Sequence, residues 1–317
     1  MKKLMVLLPL VLLLVYPTAA GELAKAGPVL RWKVTTAPYG DYVSALAVGK
    51  DGTIYSGSVV DNNIYALAPD GALLRKLSVG EGVRALAVGK DGTIYMGSRD
   101  NRIYVFSPDG TPRSSFDFRG GVRAIAEGDN GIIYIGSSNI HVYALNPDGT
   151  VRWESRTQAS VSAITIARNG LIYAGSGKSV YAFAPNDGAL KWKFALGTMD
   201  KAVDVVSLVV GHGDILYVGS IDHNVYAIDP IENRIKWSFK ARGTPFALAE
   251  GPDGTIYVGS YDGNIYALDA EGGKLRWRFS TGTGEWGRNA VHAIAVGNDK
   301  IIYAGSGAAV EAISLSR

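Results

Sequence analysis

The chain has 317 residues, 47% of them hydrophobic and 19% charged, with a formal net charge of +3 and no cysteine. That length can bury a core without covalent staples. The absence of cysteine excludes disulfides, thiolate metal sites and a lipid anchor on cysteine. The near-neutral balance gives no support for binding nucleic acid or an acidic lipid surface.

Residues 1–20 read as a cleaved secretory signal peptide. Lys2 and Lys3 precede the apolar run Leu4–Tyr16, and small residues follow in Pro17-Thr18-Ala19-Ala20. The run is shorter than the about 20 apolar residues of a membrane span. Ala24-Lys25-Ala26 offers a second cleavage position. The expectation is a secreted or periplasmic protein with no stable membrane anchor after cleavage. Its net charge then falls from +3 to +1.

From there the chain repeats itself. A phrase of Tyr, any residue, Gly and Ser occurs seven times, at 55–58, 95–98, 134–137, 173–176, 217–220, 257–260 and 303–306. Its glycines are 40, 39, 39, 44, 40 and 46 positions apart. A period of about 40 residues is the size of a four-stranded propeller blade. The second unit shows the content most clearly. Val83–Val88 is a strand, Gly89-Lys90-Asp91-Gly92 a tight turn, and Thr93–Ser98 a second strand. Arg102–Phe106 is a third, closed by Pro108-Asp109-Gly110, and a weaker fourth ends near Phe118.

Side-chain size follows the radius. First strands carry small pairs such as Ala45 and Ala47, Ala85 and Ala87, or Ala293 and Ala295, suited to a crowded axis. Fourth strands carry Trp32, Trp153, Trp192, Trp237 and Trp277, suited to the widening wedge between blades. The last repeat holds three strands, ending in Val310–Ile313. Its missing Trp strand lies at the other end, where Val29–Val34 mirrors Lys274–Phe279. The reading is an all-β, seven-bladed propeller over residues 28–317. It is a single domain closed by pairing residues 29–34 with 310–315, which leaves the array no open ends.

The link between third and fourth strands resembles the tryptophan-docking repeat of quinoprotein-like propellers, roughly Ala-x-Asp-x-x-Thr-Gly-x-x-x-Trp. Ala267, Asp269, Gly273 and Trp277 match it best. Ala182, Gly188 and Trp192 match with Ala184 in the Asp place, and Ala227, Asp229 and Trp237 with Asn233 in the Gly place. Ala144 and Trp153 match one residue short. Arg75 stands near the Trp slot of the first repeat, and the second has no counterpart. The resemblance implies the propeller fold. Two branches of the group bear on function: dehydrogenases holding pyrroloquinoline quinone and calcium, and the scaffold lipoprotein of the outer-membrane barrel-assembly machinery. Both are typically eight-bladed, and the second is anchored through a cysteine. This chain counts seven blades and has no cysteine, so it reads as a member of the broader repeat group.

Residue motifs for chemistry are sparse. Gly175-Ser176-Gly177-Lys178-Ser179 lacks the upstream Gly of a phosphate loop, since Ile172 stands there. The Asp-Gly pairs lack calcium-loop spacing and read as turns. His141, His212, His223 and His292 fall in separate repeats without metal-ligand spacing. Neither a catalytic set, nor a metal site, nor a cofactor is expected.

Three connections between blades are long: Thr35–Tyr42, Gly197–Asp204 and Thr281–Ala290. Insertions in repeat proteins tend to gather on one, often functional, face. That face should present Tyr39, Asp41, Tyr42, Asp200, Lys201, Glu285, Trp286, Arg288 and Asn289. Beneath it the start of each first strand should line a channel mouth with Ser44, Arg84, Arg123, Ser162, Val206, Phe246 and His292. Arg84 and Arg123, from adjacent blades, suit an anion or carboxylate. The expected function is a monomeric, non-catalytic propeller that binds a protein, peptide or glycan there. The competing reading is an enzyme at the same mouth: a small quinone- or metal-dependent oxidoreductase, or a propeller hydrolase or lyase. It would need clustered carboxylates, for which Asp41, Asp200, Asp204 and Glu285 are the long-loop candidates.

Overall fold

A computed structural model describes residues 27–37, 41–118, 120–128, 131–197, 203–282 and 289–315. They form 28 strands, β1 (Pro28–Thr35) to β28 (Ala309–Leu315), and one 3-10 turn at His212–Asp214. The strands make seven four-stranded antiparallel sheets. Six sheets use consecutive strands. The seventh takes β1 as its outer strand, beside β28. Val29 faces Ser314 and Val34 faces Val310, with a bulge between Leu30 and Trp32. This is the expected seven-bladed propeller with the expected closure. We number the blades by first strand, from blade 1 (Val43–Val48) to blade 7 (Val291–Val296).

Burial is greatest in the second strands and falls outward from them, while the first strands, which line the axis, are only partly buried. Every second strand, such as Ile54–Ser58, is buried throughout, whereas fourth strands such as Leu190–Ala195 alternate between exposed and half-buried. Of the described tryptophans, Trp153 is buried, whereas Trp32, Trp192, Trp237 and Trp277 on the other outer strands are half-buried.

The recurring phrase has a mechanical reason at each position. Its Gly lies against the first strand of the next blade: a Cβ at Gly57 would fall 2.5 Å from Val83, and at Gly259 2.6 Å from Val291. No side chain fits that gap. Its Ser serves the loop end of the blade. Ser98 Oγ donates to the Glu81 carbonyl and accepts from the Asp100 amide. Its Tyr packs on the fourth-strand Trp, with ring centroids 5.6 to 6.0 Å apart in blades 4 and 5.

Four of the outer-strand Trp in turn reach the next blade. The indole N–H groups of Trp32, Trp153 and Trp237 donate over 2.9 Å to the carbonyls of Pro69, Pro185 and Ala270. Trp192 donates to Asn233 Oδ1. In blade 1, Arg75 occupies the slot and donates to the Asp109 carbonyl. Trp277 has no such acceptor among the described residues. The next blade is the seventh, where chain termini replace the turn that would supply a carbonyl.

Candidate functional site: the aromatic and basic channel mouth

In an antiparallel blade the second-to-third turns and the inter-blade connections share one end. Amides of Arg99, Ser138 and Tyr261 in those turns donate to Gly82, Gly121 and Thr244 in the connections, which fixes the loop-bearing face. First strands begin at this face, so their second residues ring the axis. Ser44, Arg84, Arg123, Ser162, Val206 and Phe246 line a cavity of about 210 Å³ there.

One side of the ring is aromatic. His292 of blade 7 lies between Tyr42, which precedes blade 1, and Phe246 of blade 6, at centroid separations of 4.2 and 4.9 Å and tilts of 32° and 27°. Tyr261 meets Phe246 and His292 edge-on. Tyr42 and Tyr261 remain 38% and 39% exposed. Burial among rings disfavours the imidazolium and lowers the His292 pKa to about 4. At neutral pH His292 is an uncharged member of an aromatic ladder.

The opposite side is basic. Arg84, half-buried, and Arg123, exposed, stand on blades 2 and 3. Neither makes a hydrogen bond or ion pair with the described residues. Four aspartates on the same face are held by third-strand tyrosines: Tyr65, Tyr104, Tyr226 and Tyr266 donate to Asp61, Asp100, Asp222 and Asp262. These acceptors explain part of why the phenol pKa values rise, burial being the larger cause; those of Tyr65, Tyr226 and Tyr266 reach about 12. The serines of the ring are also committed. Ser44 donates to the Val83 carbonyl at 2.6 Å and Ser162 to that of Val205 at 2.5 Å, each bridging to the next blade.

The remaining expected site residues divide in two. Asp41 is 9% exposed, and its carboxylate accepts from the amides of Tyr42, Val60 and Asp61, so it shapes the blade 1 loop end. The Asn289 carbonyl accepts from Thr281 and Ser306, tying blade 6 to blade 7. Tyr39, Asp200, Lys201, Glu285, Trp286 and Arg288 lie outside the described residues. Among the described residues no three His, Asp or Glu side chains converge at metal-binding distance.

Sequence reading missed Tyr261 and Glu311. Tyr261 follows the Gly-Ser phrase where the other repeats carry Val59, Arg99, Ser138, Gly177, Ile221 and Gly307, so it was legible as the one aromatic there. Glu311 occupies the third-strand position that holds Tyr65, Tyr104, Tyr143, Tyr181, Tyr226 and Tyr266 elsewhere.

Seven closed blades with a central mouth define a propeller of the quinoprotein-like repeat class. The family profile described as outer membrane protein assembly factor BamB matches residues 30–202, 99–244 and 176–316. Together these spans take in nearly the whole chain, which belongs to that family. Among curated proteins none matches. Among solved structures, the WD40 beta propeller domain of Doa1 superposes with a TM-score of 0.78 at 15% identity, covering 91% of this chain and 97% of that one. At that identity the likeness concerns the fold alone.

Proposed function

We propose that this protein is an exported, non-catalytic propeller that docks a protein partner on its loop-bearing face, centred on the channel mouth. The observation that carries the reading is the ladder Tyr42–His292–Phe246 with Tyr261 at its edge, set across the axis from two arginines that make no bond with the described residues. Tyr and Arg are the residue types that dominate the energy of protein interfaces. On the same face Asp61, Asp100, Asp222 and Asp262 are held by tyrosines, and Ser44 and Ser162 bridge blade seams. Membership of a family described as an outer-membrane protein assembly factor fits a scaffold role in a cell envelope. The amino-terminal signal pattern supports export.

The reading is tested by placing a photo-crosslinking phenylalanine analogue at Tyr261, and at Lys191 on the outer wall as a control, in envelope extract. Discrete adducts at 261 that are absent at 191, and lost on Tyr42→Ala with Phe246→Ala at unchanged Tm, support it. Equal capture at both positions overturns it.

A further inference from the structure

The mouth also constrains what docks there. The cavity of about 210 Å³ is smaller than the about 300–1,000 Å³ of pockets that enclose a whole small molecule. It has room for one side chain, with the rest of the ligand spread over the face outside. Its free donors are unevenly placed. The hydroxyls of Ser44 and Ser162 donate to inter-blade carbonyls, and so does that of Ser207, to Pro245. The guanidinium groups of Arg84 and Arg123 alone stand uncommitted among the lining residues. Two adjacent guanidinium forks match a carboxylate, because each can give paired N–H donors to its two oxygens. Across the axis, the ladder offers an apolar surface with His292 neutral. Of the described acids of the face, Asp61, Asp100, Asp222 and Asp262 are held by tyrosines, Asp41 by backbone amides, and Glu81 and Asp204 make no ion pair with either arginine.

Building on the protein-docking reading above, we propose that the docked segment is an acidic peptide. One Asp or Glu side chain enters the mouth and is clamped by Arg84 and Arg123, while an aromatic or aliphatic side chain beside it lies on Tyr42, His292 and Phe246. A uronate-type glycan shares the carboxylate, but its ring hydroxyls would need donors and acceptors that the committed serines do not offer, so the peptide is the better fit.

The test is selection of random displayed peptides on the full chain at low salt, followed by titration of the recovered peptides. Recovered sequences should pair Asp or Glu with an apolar neighbour. Changing that acid to its amide, or Arg84→Gln with Arg123→Gln in the protein, should each weaken binding about tenfold or more. Combining both changes should cost little extra, since they remove the same contact. Arg84→Lys with Arg123→Lys should recover only part of the affinity, because a lysine cannot reproduce the fork. Unchanged Tm of the variants separates binding from folding. Peptides that need Tyr42 and Phe246 but lack an acid, or that bind the Gln variant equally, overturn the acidic clamp and leave the docking reading standing. Recovery of no peptide that depends on either set overturns both. A linear oligogalacturonate that binds through the arginines where no peptide does also overturns the peptide assignment.

Discussion

Lys33 extends its Nζ to 2.6 Å from the carboxylate of Glu311, across the pair of strands that closes the ring. The partners are unequal: the Lys33 side chain is 43% exposed and that of Glu311 only 1%. In other blades the same cross-strand position pairs a third-strand Tyr with a residue such as Lys76, whose ammonium lies 4.8 Å from the Tyr65 ring centroid. The ion pair thus marks the one blade assembled from both ends of the chain.

This inequality predicts an asymmetric response to mutation. Lys33→Ala leaves a buried carboxylate without its cation and should cost about 3–5 kcal/mol in urea unfolding at neutral pH. Glu311→Gln leaves a lysine that can turn to solvent and should cost clearly less. Equal losses would show that the pair is not what holds Glu311 in place.

The indole N–H groups can be tested separately from the rings. Trp153→Phe and Trp237→Phe remove a hydrogen bond to the next blade as well as ring area, whereas Trp277→Phe removes ring area only. The first two should lose about 1 kcal/mol more than the third. Similar melting shifts in all three would mean that the acceptor carbonyls contribute nothing.

The glycine of the repeated phrase should be intolerant. Gly259→Ala forces a methyl group onto Val291 and should cost about 1–3 kcal/mol or more, the range for overpacking. Adding Val291→Ala should recover part of that loss in a double-mutant cycle. A double variant no better than the sum of the singles would place the strain elsewhere.

His292 should make stability depend on pH in a defined window. Its folded pKa of about 4 lies below the ordinary 6.5, so between those values the unfolded chain binds more protons than the folded one. Stability from this group is therefore complete above about pH 6.5 and declines as pH falls toward 4, by on the order of 2–3 kcal/mol at most. The rings facing it are those of Tyr42, Phe246 and Tyr261. Glu311 works in the opposite sense, because burial raises its pKa. The measurement is therefore the difference between wild type and His292→Phe across pH 4 to 7. A flat difference would refute the assignment.

Much of this molecule was legible because its blades solve one packing problem seven times. The Gly of each phrase, the Trp of most fourth strands and the mirrored strand at residues 29–34 announce blade number and closure before any coordinates. The mouth was half legible. First-strand register placed Arg84, Arg123, Phe246 and His292 on one ring, but a residue's register does not say whether its polar groups are already engaged. Asp41 read as a face residue and an acidic candidate, and its carboxylate is held by three backbone amides. Glu311 went unread because a single departure from a repeated Tyr carries no sign of its partner 278 residues away.

The closure also sets an order of events for the newly made chain. Arg31 donates to Ser314, a partner 283 residues later, so β1 cannot find its place until that residue has emerged. Until then six blades can form from neighbouring segments, while the strand Pro28–Thr35 waits with both edges unpaired. Contacts this distant in sequence form late and slowly. An unpaired strand invites other chains during the delay. The last step of folding is thus the one most exposed to aggregation, and anything that shields the amino-terminal strand in that interval would govern the yield of the closed ring.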